Sequence, residues 1–68
     1  MREKLEKFFR EKLENAKTYK ETVDVLELRA VAFGALDFCL ANDMVEYDEV
    51  KDLWDYYWEE FHKLVINK

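Results

Sequence analysis

The sequence contains no proline, one glycine and one cysteine in 68 residues. With so few helix-breaking residues, it offers no glycine-rich phosphate loop, dinucleotide-binding fingerprint or nucleophile elbow. The single cysteine, Cys39, rules out an internal disulfide and a zinc site built from several thiolates. A chain this short must therefore gain its stability from dense apolar packing or from association with another chain.

Long apolar runs are also absent. The longest one falls short of the roughly 18 residues that indicate a membrane span, and the N-terminal stretch MREKLEKFF has no apolar signal core. We therefore expect no membrane partner and, given the lone cysteine, a location in a reducing cytoplasm. The compactness of the chain is typical of bacterial or phage proteins.

Positive charge is scarce outside the first 20 residues. Residues 1 to 20 carry seven bases and four acids, residues 21 to 68 carry four bases and twelve acids, and the net charge is -5. An acidic chain repels phosphate, so we expect neither nucleic acid nor an anionic membrane as a partner. The basic N-terminal segment is predicted to attract the acidic C-terminal one, within or between chains.

Apolar residues recur with helical spacing in three segments, which predicts one domain over residues 1–68 with helices at about 2–16, 18–41 and 46–67. The first stripe comprises Leu5, Phe8, Phe9, Leu13 and Ala16; the third comprises Val50, Leu53, Trp54, Tyr57, Phe61, Leu64 and Val65. The fold class is therefore all-α, an up-down-up three-helix bundle with the second helix at its centre.

Local signals predict where these helices begin and end. Thr18 and Glu21 have the spacing of a capping box, which predicts that the second helix begins at Thr18. Asn42-Asp43 is predicted to end it. The third helix is predicted to begin at Glu46, with Glu49 completing a capping box and Val45 and Val50 forming a hydrophobic staple. Because glutamate is a poor N-cap residue, the alternative is a start shifted by a residue or two, toward Asp43.

The second helix ends in the run AVAFGALDFCLA, residues 30 to 41, and is apolar nearly all round there. Such a helix is expected to be buried, but two neighbours cannot surround it. We therefore predict homodimers or larger assemblies, with a second chain covering Leu28, Val31, Ala35, Phe38 and Cys39. Small residues at positions 30, 32, 34 and 35 favour close helix approach. Alternatively, the tryptophans and tyrosines of the third helix wrap this surface.

Two charged residues lie on the apolar arcs of the second helix. Arg29 and Asp37 are two turns apart, too far to pair with each other, and a buried charge is costly unless it is paired. We therefore predict that each is a buried member of a structural ion pair with a partner elsewhere. The alternative is a polar functional site in an apolar cleft.

Candidate chemistry is sparse. Glu59 and His62 form the E-x-x-H pairing found in di-iron four-helix bundles, but such sites need two of these motifs and two further glutamates. Cys39 is expected to be a buried, unreactive thiol, since no basic residue lies nearby in sequence to activate it. We therefore expect no metal, no cofactor and no enzymatic activity.

The third helix offers a second functional interpretation, in which the protein is a monomeric acidic adaptor or inhibitor that docks on a basic partner protein. This docking surface comprises Asp48, Asp52, Asp55, Tyr56, Trp58 and Glu59. The favoured interpretation remains a non-catalytic protein that acts by protein-protein association, chiefly with itself.

Overall fold

A computed structural model describes residues 1–67 as three helices, α1 (Arg2–Lys17), α2 (Thr22–Ala41) and α3 (Tyr47–Ile66), with no strand in that range. Each helix packs against both of the others. The bundle measures 35 × 16 × 16 Å. The prediction of an all-α, up-down-up three-helix bundle is confirmed; Lys68 lies outside the described residues.

The connection between α1 and α2 differs from the sequence prediction. Thr18 has helical backbone angles (φ -86°, ψ -12°) and caps the C-terminus of α1, with its hydroxyl donating to the carbonyl of Asn15 at 2.7 Å. An N-cap residue needs an extended backbone, and Glu21 supplies it (φ -96°, ψ 134°). The predicted start at Thr18 is therefore wrong, and α2 begins at Thr22.

The end of α2 at Asn42-Asp43 is confirmed and has a defined backbone cause. Asp43 adopts a left-handed conformation with φ 56°. Its amide donates to the carbonyl of Leu40 at 3.3 Å, and the amide of Met44 donates to that of Cys39 at 2.9 Å. These two bonds form a Schellman motif, which satisfies the last carbonyls of the helix without a glycine at the left-handed position.

The predicted start of α3 is also confirmed. The Glu46 amide donates to the Glu49 carboxylate at 3.0 Å, and the reciprocal bond of the capping box is present. Val45 and Val50 are both buried, as the hydrophobic staple requires. The staple fixes the angle at which the chain enters α3 and so orients that helix against α1 and α2.

Phe33, on the inward side of α2, lies at the centre of the core. Its ring centroid is 5.1 Å from that of Phe9 and 5.2 Å from those of Trp54 and Trp58, in tilted and edge-on arrangements. Phe61 adds a fourth, more distant ring at 6.5 Å. Edge-on aromatic pairs are favourable beyond their buried area, so this cluster fixes which side of α2 faces inward.

The predicted attraction between the basic and acidic ends takes the form of one ion pair. Arg2 binds both carboxylate oxygens of Asp52 at 2.8 Å and also donates to the carbonyl of Glu49. The other four ion pairs in residues 1–67 join neighbours within a single helix. Hydrogen bonding to the Arg2 guanidinium lowers the pKa of Asp52 below its ordinary value.

Candidate association surface

A largely apolar, exposed stripe runs along the outward side of α2. We call it the α2 outer face and define it by the exposed residues Val23, Glu27, Ala30, Val31, Gly34, Phe38 and Ala41. Apart from the adjacent Ala30 and Val31, they recur three or four residues apart, so they form one stripe along the helix. Val31 is 53% and Phe38 62% exposed, although the sequence predicts that the second helix lies at the centre of the bundle. The aromatic side chains of α3 therefore do not cover this part of the apolar run.

The other predicted interface residues lie beside this face or away from it. Leu28 and Ala35 are half-buried at its edge. Cys39 is only 8% exposed and belongs to the core. Its spacing from Ala32 and Leu36 places it on the inward side of α2. Its assignment to the association surface is therefore corrected.

Gly34 lies in the middle of the α2 outer face. A Cβ built on it meets no atom within 4 Å, and its φ is not positive. Glycine inside a helix costs about 1 kcal/mol relative to alanine, and neither packing nor backbone geometry within this chain requires it. Because neither Gly34 nor Ala30 carries a large side chain, a second helix can approach the α2 backbone closely at these positions.

An open pocket of about 390 Å³ lies beside the N-terminal half of the α2 outer face. Leu28 and Val31 provide apolar surface, Asp24 and Glu27 provide carboxylates, and Tyr19 contributes from the preceding connection. This pocket could not be predicted from the sequence, because it depends on how the connection between α1 and α2 folds against α2.

The two charges predicted to be buried are not. Asp37 is exposed on α2. Arg29 is half-buried, with its guanidinium carbon 4.3 Å from the centre of the Trp58 ring, an arrangement that favours the cation without ion pairing. Residues 1–67 contain no buried charged side chain, so the prediction of buried ion pairs is corrected.

The residues of the alternative docking surface on α3 differ in their availability. Asp48, Asp55, Tyr56 and Glu59 are exposed. Asp52 is bound by Arg2, however, and Trp58 lies between Phe33 and Arg29. Two of the six residues are therefore engaged in contacts that hold the bundle together.

The side chains considered for metal or thiol chemistry do not converge. Glu59 and His62 are exposed on α3, whereas Cys39 is in the core. Across residues 1–67, no group of three or more His, Cys, Asp or Glu side chains is arranged to hold a metal ion. None of the three described helices is long and apolar enough to cross a membrane.

Comparisons with protein-family models, curated proteins and solved structures found no match. The functional argument therefore rests on the surface of the bundle. The α2 outer face combines exposed large apolar side chains, an open glycine and an adjacent pocket on one helix.

Proposed function

We propose that this protein is non-catalytic and acts by protein-protein association, forming a homo-oligomer through the α2 outer face. The observation that carries the proposal is the exposure of two large apolar side chains of α2, Phe38 at 62% and Val31 at 53%. Contiguous exposed apolar surface on a small globular protein is typical of an interaction site.

The size of the apolar contribution favours association. Large aromatic side chains bury about 150 to 250 Å², so covering the exposed part of Phe38 at about 25 cal/mol per Å² stabilises a complex by roughly 2 to 4 kcal/mol. A symmetric pair gains this twice, roughly 4 to 8 kcal/mol. Association costs about 4 to 15 kcal/mol in lost translational and rotational freedom. Because the upper part of this cost exceeds the gain from the two rings, Val31 and the flanking surface must contribute as well.

The contacts on α3 support this proposal over docking on a basic partner. A basic partner would compete with Arg2 for Asp52 and with Arg29 for Trp58, whereas the α2 outer face is available without breaking a contact. The two functions also respond differently to salt. Docking of opposite charges weakens as salt is added, whereas apolar self-association between copies of charge -5 persists.

The proposal is tested with a matched pair of charge substitutions. Phe38→Glu and Tyr56→Glu both place a carboxylate at an exposed aromatic position, 62% and 57% exposed, on α2 and α3 respectively. Sedimentation velocity is expected to show the first variant as a monomer and the second as the same oligomer as the wild type. Circular dichroism checks that both remain helical. An unchanged oligomer for folded Phe38→Glu would overturn the proposal.

We propose a cytoplasmic location as well. A lone cysteine buried in the core is compatible with reducing conditions and supplies no disulfide for an oxidising compartment. The net charge of -5 supports a protein partner over nucleic acid.

A further inference from the structure

We infer that two copies pair antiparallel across a two-fold axis, with the Phe38 ring of each copy inserted into the pocket beside Val31 of the other. This inference rests on the proposed function and specifies its geometry. A two-fold interface requires a surface that is complementary to itself. The α2 outer face meets this requirement because it carries a projecting ring and a pocket on the same stripe.

The positions along α2 set the register. Glu27, Val31, Gly34 and Phe38 recur at i, i+4, i+7 and i+11, so the pocket and the ring lie on one side of the helix. The four α2 residues that line the pocket span positions 24 to 31, and their mean position, between residues 27 and 28, is about 16 Å along the helix from Phe38. The midpoint falls between residues 32 and 33, and an axis there places both rings opposite both pockets at once.

The residues that flank this midpoint on the outer face are Ala30 and Gly34. Two helices are closest at the level of the axis, and their separation there depends on the size of the side chains between them. The register derived from the ring and the pocket thus places the crossing at the smallest residues of the face. It also explains a glycine that nothing within one chain requires.

The pocket can accept an aromatic ring. Its volume of about 390 Å³ exceeds the roughly 150 Å³ of a protein cavity that binds benzene. Leu28 and Val31 offer apolar contact to the ring, and Tyr19 places an aromatic side chain at the same pocket.

The dimensions of the bundle favour a second copy lying side by side. End-on contact offers a footprint of only 16 by 16 Å, whereas contact along the long axis offers 35 by 16 Å. The latter is a flat area of roughly 560 Å², about two-thirds of the roughly 800 Å² per partner of a stable interface, to which projecting side chains such as Phe38 add. Pairing along α2 uses this long side.

Isotope-filtered nuclear Overhauser spectroscopy on an equal mixture of labelled and unlabelled wild-type protein tests the inference. We expect contacts between copies from the Phe38 ring protons to the methyl groups of Leu28 and Val31. We expect none between the two Ala41 residues, which the antiparallel register separates by about 25 Å.

The possible results separate the geometry from the function. Contacts between copies that join Phe38 to Phe38 and Ala41 to Ala41 indicate a parallel pair, which overturns the inference but leaves self-association standing. A monomer without contacts between copies overturns both.

A second pair of variants tests the role of the ring. Phe38→Ala is expected to raise the Kd of the dimer about thirtyfold or more, as for a residue central to an interface. Tyr56→Ala is expected to leave the Kd unchanged. An unchanged Kd for folded Phe38→Ala would show that the ring does not fill the pocket.

Discussion

Substitution of Gly34 by alanine is expected to have opposite effects on the folded monomer and on its association. In the monomer, the added methyl group meets no atom within 4 Å. The change then acts through helix propensity and raises the free energy of unfolding by about 0.8 to 1 kcal/mol. For a domain of this size, that corresponds to an increase in Tm of roughly 4 to 8 °C.

In the dimer, the same methyl group lies where the two α2 helices cross. It forces the helices apart and loosens the contact of each Phe38 ring with the opposite pocket. We expect the Kd to rise about tenfold, which is about 1.4 kcal/mol. The net effect of Gly34→Ala therefore depends on protein concentration, being stabilising when dilute and less so when the dimer is populated.

The two effects are measured separately in two backgrounds. Urea unfolding of Phe38→Glu with and without Gly34→Ala gives the effect on the monomer, and sedimentation equilibrium of the wild type and Gly34→Ala gives the effect on the Kd. A loss of stability in the Phe38→Glu background would refute the open position of Gly34. A stabilised monomer with an unchanged Kd would refute its place at the crossing.

Three further predictions concern the fold. Phe33→Ala removes the ring at the centre of the core and is expected to lower the free energy of unfolding in urea by about 3 to 5 kcal/mol. Phe38→Ala on the same helix is the exposed control and is expected to lower the stability of the monomer far less. Similar losses for the two variants would contradict the described core. Asp43→Gly removes the steric cost of a side chain at a left-handed backbone position, φ 56°, and is expected to raise the free energy of unfolding by about 0.5 to 1 kcal/mol in the same assay. A lower free energy of unfolding would show that the Asp43 side chain supports the turn. Arg2 lowers the pKa of Asp52 in the folded protein, so the ion pair stabilises the fold at pH values above 3.8, the ordinary pKa of the carboxyl group. This stabilisation is lost as the pH falls through the lower pKa of the folded state. Asp52→Asn should therefore be less stable than wild type at pH 7 and converge with it in acid, and a difference that is independent of pH would contradict this pairing.

The arrangement of α1 and α3 could be predicted because each has one apolar stripe and one polar side. Val45, Glu46 and Glu49 also located the start of α3, since the staple and the capping box are local features. Thr18 misled the prediction because its spacing from Glu21 satisfies the same local pattern, whereas the backbone at Thr18 continues α1. A sequence pattern shows that a cap is possible but not which conformation the residue adopts.

The orientation of α2 could be predicted only in part. A helix that is apolar nearly all round gives a weak signal for its inward side, so Cys39 was assigned to the surface and Arg29 and Asp37 to the interior. The packing of Phe33 against rings from α1 and α3 sets that side. The pocket was not predictable for a similar reason, since Tyr19 joins it from outside the helix.

Self-association is the central claim, and light scattering after size exclusion tests it most directly. The wild-type protein is measured across roughly 1 to 100 μM, because a population that associates reversibly changes its average mass with concentration. We predict a mass that approaches twice that of one chain as concentration rises, or an oligomer that is stable throughout. The mass of a single chain at every concentration would contradict the account and leave the α2 outer face without its proposed partner.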